Sequence, residues 1–513
     1  MRLTINTVFV VSVLLCGGIG AWGVIDPDSM TGAAQALTGF ALDSLSWFFL
    51  LLCTGFVILA VLLAASPYGR IKLGHDDDEP EFSTASWIAM LFAGGMGAGL
   101  LFWGTAEPIY HYYSPPGMRG ETADAARQSM IITNFHWGLH AWSIYGVCAL
   151  VIAYFVFRKD APSLISTPIR FAFGSMPGIN GISTVADVLG VLAVIFGLAG
   201  SLSMGTLQVR AGLGEVFGIG QTNTISIYIL LGLAVCFFTS ASTGVDKGIK
   251  ILSNINMLLA IFLLLFILFM GPTRFLFEVF VTSLGDYISD LVDISFRLFP
   301  YQGLTEWTAG WTLTYLIWWL AWGPFVGIFI ARISRGRTIR GFVVGVILIP
   351  TLFSVLWFAA FGGAGFYIEF FGPGGLADLV FEDVTKALFA LFTYFPLTQL
   401  LSVLAVSLIF IFLITSADSG TFVVSMMTTN GNLNPPTPHK LIWAVIITAL
   451  TAATLFTGSI AVAKAMAITG AIPFSLILII QIIGFLRTLR EDHAPPEEEV
   501  ASAAPGPVPE AGE

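Results

Sequence analysis

Trp318, Trp319 and Trp322 lie near the middle of an apolar run over residues 311–333. Trp318 and Trp322 are four apart and share a helix face, and Trp319 stands three from Trp322 beside them. A second aromatic set, Trp137, Trp142 and Tyr145, falls in the run 131–157. At about 100° per residue, Tyr145 sits between the two tryptophans on an arc of about 140°. Two such helices facing one another would build an aromatic box. The chemistry this suits is specific. A trimethylammonium group carries a permanent charge and no N–H donor, so ordinary hydrogen bonds cannot hold it. The negative faces of aromatic rings can, at about 2 kcal/mol or more for a desolvated contact. Tryptophan in membranes usually marks the interface. That suits Trp311 at the start of its run, but not three tryptophans at mid-span. Any one of these rings alone would read as core packing between helices; the six together favour a cation cage.

Other residues carry further chemistry. Thr415-Ser416-Ala417-Asp418-Ser419 interrupts an apolar run. Adjacent hydroxyls with carbonyls freed by unwound backbone offer hard oxygen ligands for Na⁺, although Ser and Thr in spans often bond back to their own helix. Glu107 and Asp418 are acids inside apolar runs, costly there unless paired or functional; they are expected to support the site or the structure. His136 and His140 have metal-ligand spacing but no evident third ligand, so no transition metal is expected. Cys16, Cys53, Cys148 and Cys236 lie in apolar runs without CxxC spacing and read as small core hydrophobes. With no nucleophile–base set and no metal cluster, the chain does not read as an enzyme. No nucleic-acid partner is expected.

The elements that must position these residues are membrane helices. Of 513 residues, 56% are hydrophobic and only 11% charged, where a soluble domain is nearer a quarter charged. The apolar runs are long enough to cross a bilayer core, which takes about 20 helical residues. Residues 1–490 read as one all-α polytopic domain of 12 transmembrane helices. These lie near 6–25, 40–65, 86–113, 131–157, 185–207, 224–243, 250–271, 311–333, 341–362, 398–428, 438–458 and 465–487. The first run has no convincing cleavage site and reads as a span rather than a signal peptide. With both termini in the cytoplasm, Lys and Arg gather on the cytoplasmic side, as the positive-inside rule requires. Arg332, Arg335, Arg337 and Arg340 form one such anchor, and Lys464 falls in an outer loop. Residues 272–293 resemble an amphipathic interfacial helix. Residues 491–513 are rich in Pro, Glu and Ala and read as a disordered acidic tail, which accounts for part of the net charge of −10.

The third span contains Gly94-Gly95-Met96-Gly97-Ala98-Gly99, and the eighth, five spans later, contains Gly323-Pro324. Each glycine costs a helix about 1 kcal/mol against Ala. Carriers built from inverted repeats place interrupted helices at matching positions, with the substrate site between them. The pattern predicts two five-helix repeats, about 86–271 and 311–487, with both of these helices interrupted. The competing reading is close helix packing of the GxxxG type.

Taken together, GMGAGLLFWGTAEP (95–108), FHWGLHAWSIY (135–145), WWLAWGPFVGIFIARISRGRTIR (318–340) and TSADSG (415–420) resemble the betaine/choline/carnitine transporter family over nearly the whole chain. The resemblance implies a LeuT-like fold with two extra N-terminal helices, an amphipathic helix between spans 7 and 8, and a homotrimer in a bacterial cytoplasmic (inner) membrane. It implies that Trp137, Trp142, Tyr145 and Trp319 form the central box, with Trp318 and Trp322 alongside and Gly95-Met96-Gly97 as the unwound segment. Met96 marks sodium-coupled members. The implied Na⁺ ligands are the carbonyls of Ala93, Met96 and Phe412 and the hydroxyls of Thr415 and Ser416, with a possible second cation site near Phe325. Val194 and Leu198 stand where sodium-coupled betaine carriers have threonines, which puts that second site in doubt. Osmosensing betaine carriers resemble one another in a long basic C-terminal helix, and this tail is short and acidic. The expected function is sodium-coupled import of a quaternary ammonium or sulfonium osmolyte, glycine betaine or dimethylsulfoniopropionate foremost. Proton-coupled choline uptake and sodium-independent carnitine or betaine exchange are the alternatives within the class. A ligand-caging channel or receptor is the alternative outside it.

Overall fold

The computed structural model describes residues 5–95, 97–243, 246–457 and 459–493, without the side chains of 92–95, 241–243 and 246–253. The described residues form helices joined by loops, with a single isolated β-bridge, Lys72 to Thr338. The helices in order are α1 (Thr7–Ile25), α2 (Pro27–Ala65), α3 (Thr84–Gly95), α4 (Ala98–Tyr113), α5 (Ala123–Trp137), α6 (Leu139–Ala153), α7 (Thr167–Phe173), α8 (Ile179–Phe217), α9 (Asn223–Thr243) and α10 (Asp246–Met270). They continue as α11 (Thr273–Ser295), α12 (Thr305–Thr308), α13 (Thr314–Arg332), α14 (Ile339–Val343), α15 (Ile349–Phe371), α16 (Leu376–Glu382), α17 (Ala387–Phe392), α18 (Thr398–Met427), α19 (Thr437–Thr457) and α20 (Ile460–Asp492). Only closed backbone hydrogen bonding is tolerated in hydrocarbon, and the caps follow that demand at the ends. Asn6 accepts from the Phe9 N–H at 2.7 Å, Asp26 from Ser29 at 3.1 Å and Thr122 from Ala125 at 3.1 Å.

Among the described residues ten helices are long and apolar enough to cross a membrane, or up to eleven if a bent pair counts as one span. Two of the twelve expected spans are not among the ten. Residues 86–113 divide into α3 and α4, with Gly97 in extended backbone (φ −94°, ψ −161°) just before α4. Residues 250–271 fall in α10, which meets α11 at a bend of 111°. The α11 helix buries Leu276, Ser283, Asp286, Tyr287 and Ile294 and exposes Phe277, Val281, Ile288 and Val292. The exposed set is apolar and the buried set mixes apolar and polar side chains. The acidic tail from 494 onward lies outside the described residues.

Two expectations about helix breaks change. The α13 helix runs unbroken through Gly323-Pro324. Proline is accommodated in membrane helices because neighbours and local adjustments satisfy the freed backbone. The glycines there let α13 approach α6. A Cβ on Gly323 would lie 3.0 Å from Cys148 Sγ, and one on Gly327 would lie 2.9 Å from Cys148 Cβ. Gly323 and Gly327 thus act as the small-residue seam that competed with the interrupted-helix reading. Conversely, the single span expected over 131–157 is divided at Gly138 (φ −100°, ψ −131°), between α5 and α6. A Cβ at Gly138 would sit 2.4 Å from the Asn134 carbonyl oxygen and 2.8 Å from Tyr287 Oη, so only glycine fits. The α11 helix braces this break. Leu139 N–H donates to Tyr287 Oη at 3.0 Å, and Arg127 donates to both carboxylate oxygens of Asp286 at 2.5 and 2.6 Å.

Candidate functional site

The break at Gly138 decides where the first aromatic set points. Trp137 closes α5, while Trp142 and Tyr145 belong to α6, so they do not lie on one continuous helical arc. Tyr145 and Trp137 still face the same residue of α13. Trp137 meets Trp319 edge to face with ring centres 5.0 Å apart, and Tyr145 meets Trp319 likewise at 5.8 Å. Trp142 packs behind Tyr145 at 5.9 Å. Tyr315, one turn before Trp319, stacks against it at 6.2 Å and meets Trp137 at 5.6 Å.

These rings enclose a cavity in which about 90 Å³ is open to the centre of a water molecule. One water needs roughly 10–15 Å³ by this measure, so the space holds a small solute. Its walls include Trp137, Tyr145, Tyr315, Trp318, Trp319 and Trp322, with Gly97, Ala98 and Gly99 from the broken span and Ser416 from α18. Of the residues expected at the solute site, Trp142 does not reach the cavity. Met96 lies outside the described residues, as do the side-chain positions of Gly95 and Ala93. Tyr315, Phe102, Trp103, Leu202, Met204 and Gln208 also line the cavity and were not singled out from the sequence. Tyr315 was the most legible of them, since it precedes Trp318 and Trp319 by three and four residues on the same helix face.

A buried polar cluster holds two cage rings in place. Glu107 is fully buried and accepts from the Trp137 indole N–H at 2.7 Å through Oε2. Its Oε1 lies 2.6 Å from His136 Nδ1 and 3.6 Å from His111 Nε2, and His136 Nε2 pairs with Thr312 Oγ1 at 2.9 Å. The last carbonyls of a helix lack intrahelical partners. One of them, that of His136, accepts from the Trp319 indole N–H at 2.8 Å. Trp319 therefore both walls the cavity and caps α5. One ligand atom from each of Glu107, His111 and His136 falls within 4.8 Å of the others, close enough to share a metal ion. The third partner missing from the His136–His140 spacing is thus supplied from α4 by Glu107 and His111. His140 is not part of the cluster: it turns to Thr54 Oγ1 at 3.3 Å and packs on Phe135. Because Glu107 and His136 already bond Trp137 and Thr312, the arrangement acts as a strut behind the cage. Asp418 is buried on α18 and is not among the residues that line the cavity.

The cation ligands come together less fully. The α18 helix is continuous through Thr415-Ser416. Thr415 Oγ1 donates back to Ile411 O and Phe412 O at 3.1 and 3.0 Å, the local bonding that competes with ion binding. Ser416 lines the cavity together with Gly97, Ala98 and Gly99 at the start of α4. Phe325 is buried against Trp322, with ring centres 5.4 Å apart. Leu198 fills the neighbouring space so closely that a Cβ on Gly420 would meet its Cδ1 at 2.1 Å. Ser201 Oγ accepts from the Trp318 indole at 3.2 Å.

Residues 7–494 match the family model described as BCCT, betaine/carnitine/choline family transporter. The chain belongs to this family. It is 43% identical over 491 residues to the glycine betaine transporter OpuD of Bacillus subtilis (strain 168), covering 95% of each chain. It is 39% identical over 496 residues to an ectoine/hydroxyectoine transporter of Virgibacillus pantothenticus, covering 96% of this chain and 98% of the relative. A glycine betaine transporter of Acinetobacter baylyi is 39% identical over 487 residues, 94% of this chain and 73% of the relative. As a member of the BCCT family the protein is a membrane transporter and not an enzyme, and the aromatic cavity lies where its helices converge.

Proposed function

We propose that this BCCT-family protein is a sodium-coupled symporter that imports a small quaternary ammonium or sulfonium osmolyte by alternating access. Glycine betaine, dimethylsulfoniopropionate and ectoine-like zwitterions are the solutes to test first. The observation that carries this reading is the cavity walled by Trp137, Tyr145, Trp318, Trp319 and Trp322, beside a helix broken at Gly97. An onium solute gains ring faces there that a neutral solute cannot use. Two relatives named as glycine betaine transporters and one named for ectoine point the same way.

The support for sodium coupling is that Ser416 lines the same cavity as the start of α4, with Thr415, the Phe412 carbonyl and the carbonyls of Ala93 and Met96 completing the expected ligands. Na⁺ bound there would stabilise the broken segment and so the solute site. Counting α3–α4 as one broken span and α10 as another brings the total to twelve spans in a LeuT-like five-plus-five arrangement. Both termini would then be cytoplasmic in a bacterial inner membrane. The exposed apolar stripe Phe277, Val281, Ile288 and Val292 on α11 supports a homotrimer.

The test is uptake of radiolabelled glycine betaine, dimethylsulfoniopropionate, ectoine, choline and carnitine into proteoliposomes, with and without an inward Na⁺ gradient. Betaine accumulation that requires Na⁺ is expected. A T415A/S416A double substitution is expected to raise the Na⁺ concentration for half-maximal uptake. Equal uptake without Na⁺ rejects symport in favour of exchange, and choline uptake driven by a proton gradient rejects it in favour of the proton-coupled alternative.

A further inference from the structure

Lys464 is the fifth residue of α20, within a helix apolar enough to span, and not in an outer loop as its sequence position first implies. Its depth is set by packing. A Cβ on Gly200 of α8 would lie 2.5 Å from the Ala463 carbonyl oxygen and 2.9 Å from Ala467 Cβ. Lys464 is therefore level with Ser201, whose hydroxyl holds the cavity tryptophan Trp318. An ammonium at such depth is costly and marks function by default. A lysine near a helix end could instead snorkel to the interface. This one is half-buried and turns toward the bundle. Its Nζ stands 4.9 Å from the ring centre of Trp103 and 4.7 Å from that of Trp311, and both rings are buried in the bundle. Among the described residues no carboxylate lies within ion-pair distance of it.

Trp103 lines the cavity that holds the cage rings. A solute in contact with this ring therefore sits close to a positive charge that makes no ion pair among the described residues and is offset only from a distance, by the buried Glu107. Two turns beyond Ser201 on α8, Gln208 also lines the cavity, with a buried Oε1 that has no hydrogen-bond partner among the described residues. The cavity thus offers many ring faces to a cation, with an ammonium against the lining ring of Trp103 and an unsatisfied amide at Gln208.

We propose that Lys464 is the anion-recognising end of the site: it draws the carboxylate of a zwitterionic onium solute and discriminates against solutes that carry a cation alone. The inference rests on the onium-binding reading above and narrows it to betaine-like and ectoine-like zwitterions, against choline. Across about 8 Å at an effective dielectric near 20, one charge pair amounts to about a thirtyfold effect on binding.

The experiment is competition for radiolabelled glycine betaine on the purified full-length protein in nanodiscs, with glycine betaine and choline as competitors. K464M is expected to weaken glycine betaine at least tenfold while choline binds unchanged or more tightly, and K464R is expected to restore glycine betaine to within about threefold of wild type. Equal losses for both solutes in K464M, with K464R no better, would assign Lys464 to helix packing and overturn the proposal. So would unchanged glycine betaine affinity. Wild-type protein that binds neither solute would instead remove the onium reading itself, and this inference with it.

Discussion

Trp319 combines two roles whose contributions can be separated by substitution. Its ring lies between Trp137 and Tyr145, and its indole N–H closes the end of α5 on the His136 carbonyl at 2.8 Å. A desolvated ring face contributes about 2 kcal/mol to a bound onium group, which is about thirtyfold in affinity. The neutral hydrogen bond contributes about 1 kcal/mol net, or about fivefold if its loss lets the cage wall shift. W319L removes both, so glycine betaine should bind thirtyfold more weakly or worse. W319F keeps an aromatic face and loses the hydrogen bond, so a loss nearer fivefold is expected. Equilibrium binding of radiolabelled glycine betaine to the purified protein measures both. Unchanged affinity in W319L would reduce the residue to core packing, and equal losses in the two variants would refute the cation–π contribution.

Further tests concern the parts that hold the cage. E107L leaves the Trp137 indole and His136 Nδ1 unpaired in a buried place, at about 1–3 kcal/mol each; a tenfold or greater rise in KM for uptake is expected, whereas E107Q, which keeps an acceptor for Trp137, should rise far less. G327V drives side-chain atoms into Cys148 and Ala149 and should cost about 1–3 kcal/mol by overpacking, seen as a lower Tm in detergent. Between the helices, Arg335 donates to both carboxylate oxygens of Asp78 at 3.1 and 3.2 Å, and that guanidinium holds the carboxyl below its usual 3.8. A depressed carboxyl stabilises the folded state above its ordinary value and loses that contribution as pH falls below it. D78N should therefore speed hydrogen exchange around residues 73–83 at pH 7, and the wild type should match it only below about pH 3.8; identical exchange at pH 7 would dismiss the contact as inconsequential.

The aromatic residues were readable in the sequence because ring chemistry and helical spacing are local properties. The interruption at Gly97 was readable because four glycines in six residues weaken a helix. Gly323-Pro324 misled for a physical reason: a membrane helix can carry proline when a neighbour packs closely, and Cys148 lies 175 residues away in sequence. Gly138 was missed from the other side. Its own segment favours a continuous helix, and the reason for the break is Tyr287, on α11. The Glu107–His111–His136 cluster was half visible, since spacing links the two residues of α4 while only the fold brings His136 to them. Lys464 was misplaced because a lone charge at the edge of an apolar run reads as a loop boundary, and only the glycine contacts of α8 fix its depth.

The seam between α13 and α6 has a mechanical consequence. Glycines at 323 and 327 bring the two backbones too close to slide, so Tyr145 and Trp319 ride together as one rigid wall. Trp137 stands beyond the hinge at Gly138, on α5, tethered to that wall through the indole of Trp319 and braced from behind by α11. Opening the cage therefore need not dismantle it. Any movement at this break would carry Trp137 off the wall while Tyr145 and Trp319 stay together, and it would first have to part the Trp319 indole from the His136 carbonyl.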